Sequence, residues 1–252
     1  MTLPLVMLHG WSMNLRVFDS IIAEVDGNQP ILRFDLPGHG QRPWHTSSGA
    51  ARAATLQDFA DALCVKLPPR YVLLGWSLGA QVALQLAAQR PDCIEKLVLV
   101  SATPRFLNAP DWPHGREPES LAAIRDAALK NPVQMQQDFL DLQLRGSPLP
   151  DERRVALAAA LLEQGAPSPA GLMAGLDVLE HTDLRNTARA IATPTLLIAG
   201  RRDRITPSGA SEWLAQQLPR ASYVELPCAA HAPFLSHHKQ FCTTLRDFLT
   251  GS

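Results

Sequence analysis

The chain has 252 residues, 46% of them hydrophobic and 19% charged, and its 23 Lys/Arg against 24 Asp/Glu leave a formal charge of −1. That length suits one α/β domain, or a core domain with a modest insertion. Folding such a chain buries roughly three quarters of its unfolded surface without help from a disulfide or a metal. The near-neutral balance carries no electrostatic footprint for DNA, RNA or an anionic membrane. Cys64, Cys93, Cys228 and Cys242 are widely spaced, without CxxC or a zinc-like pattern, and read as free thiols. The apolar stretch from Met1 to Leu8 lacks a basic n-region and a small-residue cleavage site. No run of about 18 apolar residues follows that would span a membrane. A cytoplasmic, monomeric protein is expected.

In chain order, short apolar runs ending at Gly or Pro alternate with amphipathic stretches, the signature of a parallel sheet covered by helices on both faces. Strands are expected at Leu3 to Leu8, Ile31 to Leu36, Tyr71 to Leu74, Lys96 to Val100, Thr195 to Ala199 and Ser222 to Leu226. Crossover helices are expected at Leu56 to Leu67, Ala80 to Gln89, Ser211 to Leu218 and Phe241 to Leu249. From about Phe106 to Arg185 the strand-like runs vanish. The segment becomes rich in Ala, Leu and Gln, broken at Pro132, Pro148-Pro150 and Pro167-Pro169. This reads as a helical cap (106–185) over a core made of 1–105 and 186–252, placed at the strand ends where open α/β sheets bind ligands.

Gly75-Trp76-Ser77-Leu78-Gly79 is a GxSxG sequence. The pattern alone is weak, and its context strengthens it: a strand leads in and a helix leads out, as a nucleophile elbow requires. A serine hydroxyl is a poor nucleophile and needs a base and a group to orient that base. In this arrangement the chain order is Ser, acid, His. Asp203 follows the strand Thr195 to Ala199, and His231 follows the strand Ser222 to Leu226, which puts both on the sheet edge of Ser77. Asp183 is the rival acid. His45, His114, His181, His237 and His238 fall in loops, the cap or a helix start. The oxyanion of a tetrahedral intermediate needs two N–H donors, for which Leu78 and Trp11 are the candidates. His9, at a strand end, is expected to hold structure by hydrogen bonding. Asp35-Leu36-Pro37-Gly38-His39-Gly40 reads as a turn, since it lacks GxGxxG or a Walker lysine.

With Leu8-His9-Gly10-Trp11, Asp35-Leu36-Pro37-Gly38, the Ser77 motif and Ala229-Ala230-His231-Ala232-Pro233-Phe234, the chain resembles the α/β-hydrolase superfamily over nearly its whole length. Within it, the chain is similar to the biotin-synthesis carboxylesterase family, the pimeloyl-[acyl-carrier protein] methyl ester esterases. Asp177-Val178-Leu179 and Thr182-Asp183-Leu184-Arg185 add to that likeness. The resemblance implies a serine esterase with no metal or organic cofactor, acting on a small-molecule or acyl-carrier-protein-bound ester. It also implies substrate contacts from Trp11, Ser77, Leu78 and His231, and from the cap run Phe139, Leu140, Asp141, Leu142 and Gln143. Read from the residues alone, Phe139, Leu140 and Leu142 are cap core.

Two departures from the family pattern stand out. The chain starts almost at its first HG strand, so the leading strand pair of the fold is expected to be truncated. From Arg105 to Arg185 there are 8 Lys/Arg against 12 Asp/Glu, a net −4 where arginines facing an acidic carrier protein are expected; Arg145, Arg153 and Arg154 are the local basic candidates. A general carboxylesterase, a C–C bond hydrolase and a haloperoxidase-like enzyme share the same triad. A non-catalytic binding module of this fold would lack a triad member.

Overall fold

The computed structural model describes residues 2–25, 29–45 and 52–251; Met1 and Ser252, at the ends of the expected core ranges, lie outside them. Among the described residues one sheet of six parallel strands forms the core: β1 (Leu5–Leu8), β2 (Ile31–Phe34), β3 (Tyr71–Trp76), β4 (Ile94–Val100), β5 (Thr195–Gly200) and β6 (Ala221–Leu226), in spatial order β2-β1-β3-β4-β5-β6. The order reverses direction at β1 and β3, the switch point where α/β sheets open a crevice at their strand C-termini. β1, β3 and β5 are buried at every position. Strands covered on both faces have no solvent side to alternate toward, hence their continuous apolar runs.

A 3-10 turn (Leu15–Phe18) and α1 (Asp19–Val25) link β1 to β2 and have no counterpart in the sequence-level expectations. α2 (Leu56–Cys64) starts at a capping box in which Thr55 and Asp58 satisfy each other's orphan N–H groups. α3 (Leu78–Gln89) leaves the Ser77 motif, and its Leu and Ala side chains are buried on nearly every face. Beyond β5 and β6 lie α9 (Ser208–Gln217), α10 (Pro233–Ser236) and α11 (His238–Thr250).

Between β4 and β5 run α4 (Pro118–Lys130), α5 (Pro132–Leu144), α6 (Asp151–Gln164), α7 (Pro169–His181) and the short α8 (Arg185–Ala188). The prolines that interrupt this segment begin helices: Pro118, Pro132 and Pro169 occupy first-turn positions, where a missing N–H costs nothing. These helices reach the strand ends through polar seams. Trp11 Nε1 donates to the Leu172 carbonyl at 2.9 Å, and Asn14 Nδ2 to that of Leu161 at 2.8 Å. Gln136 Nε2 donates to the Ser12 carbonyl at 2.7 Å. The closest approach is at Gly171, where a Cβ would lie 2.3 Å from the Gly38 carbonyl oxygen; one on Gly175 would lie 2.5 Å from Trp11 Cδ1.

Candidate active site

Ser77 is the hinge between β3 and α3, with φ 56° and ψ −117°, a strained backbone for a residue with a Cβ. The flanking glycines are required by space. A Cβ on Gly79 would sit 2.3 Å from the Leu8 carbonyl oxygen, and one on Gly75 would sit 2.3 Å from that of Gly79. Only Ser12, Ser77 and Ser101 combine positive φ with a side chain among the described residues. They follow β1, β3 and β4, all at the C-terminal edge of the sheet. Strain gathered at one edge marks where the surroundings over-determine the backbone.

On that edge Asp203 and His231 meet. Asp203 Oδ2 lies 2.7 Å from His231 Nδ1, with both side chains buried. Asp203 Oδ1 accepts from the Ile205 and Thr206 N–H groups at 2.8 and 3.0 Å. The Thr206 hydroxyl stands 2.9 Å from Asp203 Oδ2 and 3.0 Å from the Ser101 carbonyl oxygen. The His231 backbone is clamped as well. Its carbonyl accepts from Trp76 Nε1 and Ser101 Oγ, each at 2.8 Å, and its N–H donates to the Gln143 carbonyl at 3.1 Å.

With Nδ1 committed to Asp203, Nε2 is the ring nitrogen left for a hydroxyl, and it is buried with no partner among the described residues. Ser77 Oγ is therefore not yet hydrogen-bonded to it. Catalytic hydrogen bonds are often loose before substrate binds and tighten in the complex. Gly10 brings the β1 loop close, since a Cβ there would lie 3.2 Å from Ser77 Cβ. No backbone acceptor among the described residues consumes the N–H of Trp11 or of Leu78, the latter at the first position of α3.

The β1 loop is held by two histidines. His9 Nε2 accepts from Leu36 N–H at 2.9 Å while Nδ1 donates to the Gly10 carbonyl at 2.8 Å. His39 Nε2 accepts from Ser12 N–H at 3.1 Å while Nδ1 donates to Pro37 at 3.0 Å. Both rings are thus neutral, and burial pushes His39 down to about 3 and lowers His9 as well. Asp183, the rival acid, is taken up by Arg185 and Arg105, which hold its carboxyl at about 2, and it does not approach His231.

In the cap run, Phe139 packs edge-on against Trp11 with ring centroids 4.9 Å apart. Gln143 is wholly buried, and neither polar atom of its amide has a partner among the described residues. Leu140 is buried and Leu142 half-buried. The helical period turns Asp141 outward, where it pairs with Arg154 at 2.9 Å, so it does not join the site. Arg154 also meets Asp151, so of the three basic candidates it is neutralised, whereas Arg145 stays exposed. Sequence reasoning missed Ser101, Thr206 and the His231 clamp by Trp76. The one legible trace was Thr206 three residues after Asp203, the spacing of an Asp side chain capping its own turn.

Chemically, an acid-oriented imidazole beside a strained serine and two unspent N–H groups suits acyl transfer. Residues 5–244 match the model of the alpha/beta hydrolase family. The chain is 41% identical over 239 residues to a pimeloyl-[acyl-carrier protein] methyl ester esterase of Nitrosomonas europaea, covering 94% of this chain and 92% of that protein. It is 37% identical over 244 residues to the Chromobacterium violaceum protein of the same name, covering 97% and 93%. Among solved structures, an esterase from Exiguobacterium antarcticum superposes with a TM-score of 0.85 at 21% identity, covering 98% of this chain and 92% of that one, a likeness of fold. The chain therefore belongs to the alpha/beta hydrolase family and, within it, is similar over nearly its whole length to the pimeloyl-[acyl-carrier protein] methyl ester esterases.

Proposed function

We propose that this chain is a serine carboxylesterase that hydrolyses the methyl ester of pimeloyl-acyl-carrier protein, a reaction of biotin synthesis. The observation that carries the reading is the 2.7 Å Asp203–His231 bond, on the sheet edge where strained Ser77 opens α3. His231 Nε2 takes the Ser77 proton as Oγ attacks the ester carbonyl, while Asp203 fixes the tautomer and stabilises the imidazolium. The N–H groups of Trp11 and Leu78 receive the oxyanion. Methanol departs with the proton from His231, leaving an acyl-enzyme on Ser77. Water attacks that ester with His231 again as base, and collapse releases the free carboxylate and restores the serine hydroxyl.

Substrate choice falls to the cap, residues 106–185. Trp11, Phe139, Leu140 and Leu142 supply apolar surface for a seven-carbon chain. The Gln143 amide, buried with its hydrogen bonds unspent, supplies a polar contact whose desolvation a substrate oxygen would relieve. The names of the relatives support an acyl carrier protein as the bearer of the ester. A cytoplasmic monomer completes the proposal; no described helix is long and apolar enough to cross a membrane.

The test compares kcat/KM for pimeloyl-carrier-protein methyl ester, free dimethyl pimelate and p-nitrophenyl acetate. A preference of at least about tenfold for the carrier-bound ester, roughly 1.4 kcal/mol of differential transition-state binding, is expected. Equal rates on all three would sink the substrate assignment and leave a general carboxylesterase.

A further inference from the structure

A second cluster of ligand-type side chains lies where α11 packs against α1, and the ester chemistry makes no use of it. His238 and Cys242 stand four residues apart on α11, hence on one face of that helix. Glu24 comes from the last turn of α1. One ligand atom from each of the three lies within 4.8 Å of the others. Arg246, one turn past Cys242, donates to the Glu24 carbonyl at 3.2 Å and pins the end of α1 to α11.

The histidine is already oriented. His238 Nδ1 is 3.4 Å from the Phe234 carbonyl, which only accepts, so Nδ1 carries the proton. The other ring nitrogen, Nε2, faces Glu24 Oε1 at 3.3 Å. A ring nitrogen and a carboxylate oxygen at that distance are bridged by a cation, either a ring proton or a metal ion. A backbone carbonyl holding the far ring nitrogen is also how metal-bound histidines are commonly fixed. A cavity of about 520 Å³ between the 3-10 turn, α1, α6 and α11 has Glu24 and His238 in its wall, which gives an ion and a water a way in.

We propose that Glu24, His238 and Cys242 form a three-ligand site for a borderline-soft divalent cation, Zn2+, with a water from the cavity as fourth ligand. The thiolate and imidazole donors select against Mg2+ and Ca2+, which prefer oxygen. Tetrahedral zinc bonds of about 2.0–2.3 Å put ligand atoms about 3.5 Å apart, so the cluster has to contract. The half-exposed Glu24 side chain is free to supply that movement. Formation of the sulfur–metal bond displaces the thiol proton to solvent. The ion clips α1 to the C-terminal helix and takes no part in ester hydrolysis, so the site stands whatever substrate Ser77 serves.

The test titrates the full chain, freed of metal by a chelator, with Zn2+ by calorimetry in two buffers of different ionisation enthalpy, and with Co2+ by absorption. Expected are one equivalent bound with Kd below about 10 μM, net proton release, and a thiolate-to-Co2+ charge-transfer band. His238→Ala and Glu24→Gln, both on the accessible side of the cluster, each weaken binding at least about tenfold. Cys242→Ser removes the band, its folding being checked by esterase activity. His231→Ala, titrated in parallel, keeps full affinity and so removes the active-site imidazole from contention. Binding weaker than about 10 μM, affinity unchanged in His238→Ala, or a Co2+ spectrum without the thiolate band overturns the site.

Discussion

The strand-end loops and the cap helices face each other across the same buried site but are built differently. On the sheet side β1, β3 and β5 are wholly buried, and the Asp203–His231 pair is fixed by Thr206, Ser101 and Trp76. On the cap side α6 buries only Leu161, and Val155 on the same helix is 61% exposed. The cap crosses to the core by hydrogen bonds from Asn14, Gln136 and Trp11, and α7 buries Leu172, Leu176 and Val178 in the shared apolar core. Ser77 and His231 are 9% and 1% exposed. Apolar burial holds the sheet side, whereas α6, with one buried residue, is the part best able to give way.

Four experiments break or sharpen the contrast. Ser77→Ala removes the proposed nucleophile from the rigid side. Ester turnover drops by roughly four to six orders of magnitude while the thermal midpoint stays near that of the parent. Hydrolysis of a p-nitrophenyl ester at near-parent rate would remove Ser77 from the mechanism. Thr206→Val takes one donor from a carboxylate. At about 1.5–3 kcal/mol for a hydrogen bond to a charged group, kcat falls roughly 10- to 100-fold with KM little changed. The acidic limb of the kcat/KM profile moves, and Thr206→Ser restores it; a loss confined to stability would assign Thr206 to packing alone.

The two loop histidines set an acid limit. His39 titrates at about 3 in the fold against an ordinary 6.5, and His9 is lowered with it. Between those values the unfolded chain binds protons that the fold refuses. Stability is therefore complete above about pH 6.5 and falls as the pH drops toward 3. Urea midpoints at pH 7.5, 6 and 5 should decline in that order, and a flat series would mean the rings are not held neutral. The smallest effect is expected on the cap. Asn14→Ala cuts the bond to Leu161 and costs about 1–2 kcal/mol locally. Amide exchange in α6 speeds up roughly 5- to 30-fold while β3 and β4 keep their protection. Equal acceleration in the strands would show that cap and core open together.

Much of this was legible in the residues. Six runs gave six strands at nearly their expected places: β1, β3 and β5, buried on both faces, leave an uninterrupted hydrophobic signature, and the edge strands β2 and β6 are marked by the Pro or Gly that follows them. Ser77, Asp203 and His231 were marked by strand ends and chain order. α1 and its preceding 3-10 turn were missed, since a seven-residue helix shows too few turns for a period to emerge. Asp141, expected among the substrate contacts, pairs with Arg154 on the exposed side of α5, since a helix of 3.6 residues per turn spreads five consecutive side chains around its axis.

The sequence by itself determined the sheet, the strained turn at Ser77 and the order in which acid and base follow it. All are local matters of periodicity, glycine and strand termini. Only the tertiary structure decided which groups hold His231 in place and that Phe139 of the cap packs on Trp11. It alone brought Glu24 beside His238 and Cys242. Those arrangements join residues far apart in the chain, and distance in space leaves no mark on spacing in sequence.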